Sequence, residues 1–447
     1  MTTSDSYQVL LQMAVDDSIL DSEIPKKDLP IEVAVDGSGL IPLGMDKGTF
    51  VFVRGNALAA LNKVTAKFLK ANEELRNAMS HDGLFKLIEV CYTPFAINYR
   101  TSRERLSKKA ARHFLNELRK ALVKTQVTKT HCIPCYIFFN DTPSFSVGPV
   151  RFIRLQDWCD NLSLSPMDKI TAEPGIRLLS EFNVMAEIDI TANEAQRSYE
   201  RACAAIDTVL TVFTMLFGSD TVHRVGRNTG YLKQNEYSTW EKETPSAQPR
   251  CGIHGHGRGI LVVTKDIPSY LEKWKSVLDS AGGCIRSFVE NVTSQLPTKS
   301  LDTRWVEAVY WYGQACKSQY PGVSLAMLEV AMAVLTQARQ STVAYGRLVD
   351  LGKRWLNRHP NDQLFPLYRQ TYEEFVAEFE RVRAEVLHGN RGSFFETDDT
   401  IYHRADVVMR QILLICALRL NQYAASHAPI DDWEGFLSWD EAAPFKV

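Results

Sequence analysis

A chain of 447 residues exceeds what one hydrophobic core can serve, so two or three domains are expected. Its 45% hydrophobic and 23% charged residues match an ordinary globular protein and exclude a disordered, collagenous or membrane-embedded class. A formal net charge of −2 excludes binding to nucleic acid or anionic lipid through whole-molecule charge, so any RNA affinity must be local.

The first fifty residues, rich in Asp, Pro and Gly, predict extended segments and turns. A helical pattern follows over 56–79, a short β-like run over 84–92, and a second helix over 102–123. Branched and aromatic residues punctuated by turn signals predict successive strands over 126–156, and another strand is expected at 182–190. Thr191 with Glu194 three places on matches a capping box opening a helix towards Phe217, stopped by Gly218. Polar, Gly- and His-rich sequence over 221–259 predicts loops, with a strand at 259–264. Beyond Asp266 helical periodicity runs through 268–295, 301–319, 323–337, 342–357, 364–388 and 401–425. The expected fold class is therefore α+β: a mixed α/β sensing or regulatory region over 1–265, then an all-α bundle over 266–447.

The apolar runs at 202–218 and 412–420 are interrupted by Asp207 and Arg419 and fall short of the ~20 residues that span a bilayer, so no membrane partner is expected. The opening Met-Thr-Thr-Ser-Asp lacks the basic-then-apolar order of a signal peptide, and a cytoplasmic location is expected. Nine scattered cysteines suit reduced thiols. Cys132-x2-Cys135 with Cys251-x2-His254 and His256 has the donor types of a zinc site, yet the halves lie more than a hundred residues apart and reduced core cysteines are the default; no cofactor or metal is assigned. The glycines at 252–259 lack the Gly-Lys-Ser/Thr ending of a phosphate-cradling loop. The cations of 103–124 (Arg103, Arg105, Lys108, Lys109, Arg112, Arg119, Lys120, Lys124) could track an RNA backbone, but a solvated helix face is the plainer account.

The helix ending at His388 carries the most chemistry. With Phe375 at zero and ~100° per residue, Phe379, Val382 and Val386 fall within about 40°, and Val376 and Leu387 extend the apolar arc to about 120°. Arg383 falls inside this arc at about 80°, whereas Arg381, Glu385 and His388 fall on the polar side. A buried guanidinium needs a partner, and Glu329 is the sole ionisable residue of the apolar segment 321–335. Pairing of Glu329 with Arg383 is expected, and a register-fixing salt bridge would account for it without any catalysis.

Arg383-Ala-Glu-Val-Leu-His388-Gly389, late in a helical domain, resembles the Arg, four to six residues, His signature of HEPN ribonucleases. The segment Trp305-Val-Glu-Ala-Val-Tyr-Trp-Tyr-Gly313, followed by the apolar helix with its single glutamate, is similar to the Apea-like HEPN branch associated with anti-phage defence. The resemblance covers roughly residues 266–425 and implies a metal-independent, toxin-like endoribonuclease. It departs from the pattern at Ala384, where many such nucleases carry a polar residue; Glu385 is the candidate substitute. The implied catalytic pair is Arg383 and His388, supported by Glu329, Glu385 and Asn390, with Arg391 and Arg381 contacting RNA. A histidine can move the 2′-hydroxyl proton and an arginine can hold the phosphate, so the products would be a 2′,3′-cyclic phosphate and a 5′-hydroxyl. One helix sets Arg383 and His388 about 140° apart, so either Gly389 and Asn390 end the helix and let His388 swing, or a two-fold dimer brings both motifs into one cleft; the resemblance implies the second, a homodimer through the helical region. Its partners would be RNA and, at the N-terminal region, a phage-derived or host trigger. A catalytically inactive HEPN scaffold binding RNA, nucleotide or protein is the alternative.

Overall fold

The protein is seen in a computed structural model that describes residues 3–23, 41–72, 75, 78–137, 144–161, 179, 182–219, 221, 225–227, 236–241, 250–255, 267–290, 296–318, 320–364, 369–389 and 399–442. The fold is α+β, and by its contacts the chain forms two compact units. One comprises 1–129, 190–201 and 291–293; the other comprises 130–189, 202–290 and 294–447. The division expected near Asp266 followed composition, whereas contacts group the strands after residue 130 with the C-terminal helices.

The first unit packs helices against a small antiparallel sheet. Its elements are α1 (Thr3–Asp16), β1 (Ser18–Leu20), β2 (Ile41–Asp46), β3 (Thr49–Val53), α2 (Gly55–Ala71), α3 (His81–Ser102) and α4 (Lys108–Lys124), with strand order β1-β3-β2. The expectation of extended chain over the first fifty residues is corrected by α1, whose Tyr7, Leu11, Ala14 and Val15 recur at helical spacing and are buried. The β-like run at 84–92 is likewise helical: Leu84, Ile88, Tyr92 and Ala96, four apart, are fully buried on one face of α3. Its N-terminus is capped by Ser80, whose hydroxyl accepts from the Gly83 amide at 2.9 Å. The single helix expected over 102–123 is broken, because α3 ends with Arg103 in the left-handed region at φ 56° and α4 restarts behind the Ser107 cap.

The Thr191–Glu194 capping box does not form. Thr191 lies at the end of a strand with its hydroxyl 2.7 Å from that of Thr128, and the Glu194 carboxylate accepts from the Ser80 amide at 2.7 Å. Helix α6 (Ala195–Phe217) therefore starts later than expected, and it ends at Gly218, φ 109°, as expected.

The second unit holds most of a five-stranded sheet of order β5-β6-β7-β4-β8, built from β4 (Val127–Ile137), β5 (Phe145–Val147), β6 (Val150–Arg154), β7 (Val184–Ala192) and β8 (Val225–Gly226), of which 127–129 and 190–192 belong to the first. A short helix, α5 (Leu155–Asp160), follows β6, and β9 (Glu236–Glu241) pairs antiparallel with β10 (Arg250–Gly255). The strand expected at 259–264 lies outside the described residues. The β5–β6 turn meets the helices so closely that a Cβ on Gly148 would fall 2.3 Å from the Gly282 carbonyl oxygen.

The C-terminal helices are α7 (Ile267–Lys273), α8 (Lys275–Val289), α9 (Lys299–Lys317), α10 (Pro321–Thr336), α11 (Ser341–Trp355), α12 (Tyr372–Leu387), α13 (Asp399–Ala424) and α14 (Trp433–Ala442). Central α13 is joined to α9 where the Trp305 indole donates to the Leu413 carbonyl at 2.8 Å. Helix α14, not anticipated from sequence, is held by Asp440, whose carboxylate pairs with Arg419 at 2.5 Å and accepts from the Trp355 indole at 2.9 Å. Both members of that pair are 3% exposed, so the charges neutralise each other where water cannot. Among the described residues no helix is long and apolar enough to cross a membrane.

Candidate active site

Helix α12 starts with a complete capping box: the Thr371 hydroxyl accepts from the Glu374 amide, and the Glu374 carboxylate accepts from the Thr371 amide at 2.8 Å. Phe375, Val376, Phe379 and Val382 face the core, as the wheel expected. The arc does not reach its expected end, since Leu387 is 53% exposed in the last turn, where the helix leaves its neighbours. Arg383 turns inward, and its Nη2 donates to Oε2 of Glu329 on α10 at 2.6 Å. The two side chains are 16% and 7% exposed, so the expected pairing of Arg383 with Glu329 is a buried ion pair.

A third group joins them from α11. Burial pushes the Tyr345 phenol well above its ordinary pKa, the Glu329 charge adds to this, and the Arg383 charge opposes it. The Tyr345 hydroxyl and the Arg383 Nε are both buried without a hydrogen-bond partner among the described residues. Tyr345 was missed in the sequence; its signal is a tyrosine in the apolar stripe that includes Leu348, Leu351 and Trp355.

His388 sits differently. It caps α12, its backbone N–H donating to the Ala384 carbonyl at 3.0 Å, and it is exposed. Gly389 follows with φ 72° and donates to the Val386 carbonyl at 3.2 Å, the left-handed end that glycine permits. Within the chain, therefore, the guanidinium is committed inward to Glu329 while the imidazole stands at the surface. The structure brings together Arg383, Glu329 and Tyr345, and it leaves His388 apart from them. Arg381 and Glu385 form an outward i, i+4 ion pair at 2.6 Å, and Ala384 is half-buried. Asn390 and Arg391 lie outside the described residues.

The segment Trp305–Gly313 is used in packing. The Tyr312 hydroxyl donates to buried Asp406 at 2.6 Å, Ser219 donates to the same carboxylate at 2.9 Å, and a Cβ on Gly313 would fall 2.7 Å from the Thr211 hydroxyl. Burial raises the Asp406 pKa, and these hydrogen bonds with the charges of Arg410 and His403 oppose it. Asp302 is a second buried carboxyl: burial pushes it up to about 6, although the Thr298 hydroxyl donates to it at 2.9 Å. Sequence could have flagged both aspartates, because Asp406 shares a stripe with Met409, Leu413, Cys416 and Leu420, and Asp302 with Trp305, Val306 and Val309.

For zinc the donors are badly placed. Cys132 and Cys135 lie three apart on β4 and so face opposite sides, one exposed and one fully buried. Cys251 and His254 fall on β10, whose side chains lie outside what is described, as does His256. Among the described residues no group of three or more His, Cys, Asp or Glu could hold a metal ion. Compared with protein-family models, with curated proteins and with solved structures, the chain matches none.

Proposed function

We propose that the protein is a metal-independent endoribonuclease of HEPN type, acting as a toxin in anti-phage defence. The observation that carries this reading is the pair of signature residues at the end of one bundle helix: Arg383 anchored by buried Glu329, and His388 exposed at the helix terminus beside a left-handed glycine. An exposed imidazole is available to take the proton of an RNA 2′-hydroxyl or to protonate the leaving 5′-oxygen. A guanidinium braced by a carboxylate keeps its remaining N–H groups in a fixed fork, suited to a phosphate on which charge develops. Glu329 is then a positioning residue, and Arg381 lies on the outward face where a strand would approach.

Because Arg383 points inward and His388 outward on the same helix, a site formed by two copies of the chain through their helical regions serves the chemistry better than one copy alone. The segments before the bundle would sense a phage-derived or host trigger. The alternative, an inactive RNA-, nucleotide- or protein-binding scaffold, draws support from the engagement of Arg383 by Glu329 and from Ala384. The deciding experiment incubates purified protein with total RNA in EDTA and maps the ends. Cleavage leaving 2′,3′-cyclic phosphates, lost in His388→Ala, is expected. Intact RNA, or cleavage undiminished in that variant, overturns the catalytic assignment.

A further inference from the structure

The first unit contains a pocket of about 350 Å³ between α1, α2 and α4. Its floor is apolar and aromatic, from Tyr7, Phe68 and Leu115. Its rim is polar, from Asn72, Arg112, Asn116 and Arg119. Arg112 and Arg119 are seven residues apart on α4, which places them within ~20° of one another around the helix and ~10 Å apart along it. Among the described residues no carboxylate lines the pocket. Among the described residues Arg112 makes no hydrogen bond or ion pair, and the Arg119 guanidinium donates only to the Asn116 side-chain oxygen at 3.3 Å. Two guanidinium groups thus line one concavity, and among the described residues none of its lining carries a negative charge.

A separate observation points into the same place. Tyr7 is 4% exposed, and its hydroxyl is buried without a hydrogen-bond partner among the described residues. Burial raises its pKa while the Arg119 charge opposes the rise, so the phenol is a protonated donor at neutral pH. The Lys67 ammonium, which donates to the Ser6 hydroxyl, lies 4.9 Å from the centre of the Tyr7 ring and holds that ring in place. A buried donor left unsatisfied costs stability unless something accepts from it.

We propose that this pocket binds a single nucleotide, its phosphate held by Arg112 and Arg119 and its base seated on the Phe68–Leu115 floor. Paired guanidinium groups are the side chains best suited to a phosphate, aromatic and aliphatic surface suits the face of a base, and the Asn72 and Asn116 amides can serve a base edge. A volume near the low end of the ~300–1,000 Å³ typical of ligand sites fits one nucleotide. The proposal does not rest on the ribonuclease reading, since every residue it uses belongs to the first unit.

The test is calorimetry on the full chain with AMP and GMP, against adenosine, guanosine, inorganic phosphate and a ten-residue oligouridylate. One-to-one binding of AMP or GMP is expected, with the nucleoside and phosphate each at least about ten-fold weaker. Arg112→Glu with Arg119→Glu, both on exposed positions, should lose binding with helicity unchanged, and Tyr7→Phe should weaken it by about ten-fold. The proposal is overturned if neither mononucleotide saturates, if phosphate alone binds as tightly, or if the double arginine variant binds normally. Salt-sensitive binding of the oligouridylate alone would also overturn it, because α4 would then be a track for an RNA backbone.

Discussion

Replacing Arg383 by Met tests the buried pair from one side, and replacing Glu329 by Met tests it from the other. The first change leaves a carboxylate at 7% exposure without the guanidinium that pairs with it, and removal of one partner from such a pair costs about 3 kcal/mol or more. The second leaves a guanidinium that is 16% exposed on a long stem, which can lean towards water, so about 2 kcal/mol is expected. With both changed, two apolar side chains of similar length replace the pair, and only imperfect packing remains, about 2 kcal/mol. Singles that sum to about 5 against a double of about 2 give a coupling of about 3 kcal/mol. Because the chain has two compact units, a global unfolding curve is not a two-state measurement. Amide hydrogen exchange along α10 and α12 reads the local opening free energy directly. If the double variant equals the sum of the singles to within about 0.5 kcal/mol, Glu329 and Arg383 do not stabilise each other and the positioning role of Glu329 fails.

His388→Ala should lower RNA cleavage by at least about 100-fold, the usual worth of a general acid or base, while exchange in α12 stays unchanged because the side chain is exposed. Cleavage in the proposed shared site should fall in specific activity on dilution; a monomer by mass measurement that keeps full specific activity would show that one chain suffices. Asp302, pushed up to about 6 by burial, keeps a proton in the folded protein that the unfolded chain releases near its ordinary value of 3.8. Its contribution is therefore fully present below about pH 4 and is lost as pH rises through about 6, by up to about 3 kcal/mol. Asp302→Asn should flatten that slope in the unfolding midpoint of the second unit, and an unchanged slope would assign it to other groups. Gly148→Ala should destabilise the second unit by about 1–3 kcal/mol, through both φ 57° and the clash with Gly282, measured as a lower melting temperature.

Where the chain carries a long periodic pattern, the elements were legible from it. Helices α9, α10, α11 and α13 fall within a few residues of their expected spans, α12 starts eight residues later than its expected 364–388, behind the Thr371 cap, and β4, β5, β6 and β7 lie in the stretches where branched and aromatic residues alternate with turns. The Glu329–Arg383 pair was also legible, because a lone acid in an apolar helix and an arginine in an apolar arc each have few other solutions. Helix α3 was not: Leu84-Phe-Lys-Leu-Ile-Glu-Val-Cys-Tyr92 fits the four-residue period and, but for Lys86, the two-residue one as well, so this short run alone leaves both readings open.

Tertiary structure decided the rest. Thr191 and Glu194 have the spacing of a cap, but Thr191 was drawn into β7 and Glu194 to the Ser80 amide, because pairing a strand and satisfying a distant helix start outweighed one local turn. The same holds for Asp406 and the two-arginine pocket, whose partners come from residues far apart in the chain. Sequence periodicity determines which face of a helix is apolar, since that follows from the angle between successive residues; which groups meet across that face depends on how separate helices pack, and no single stretch of chain contains that information.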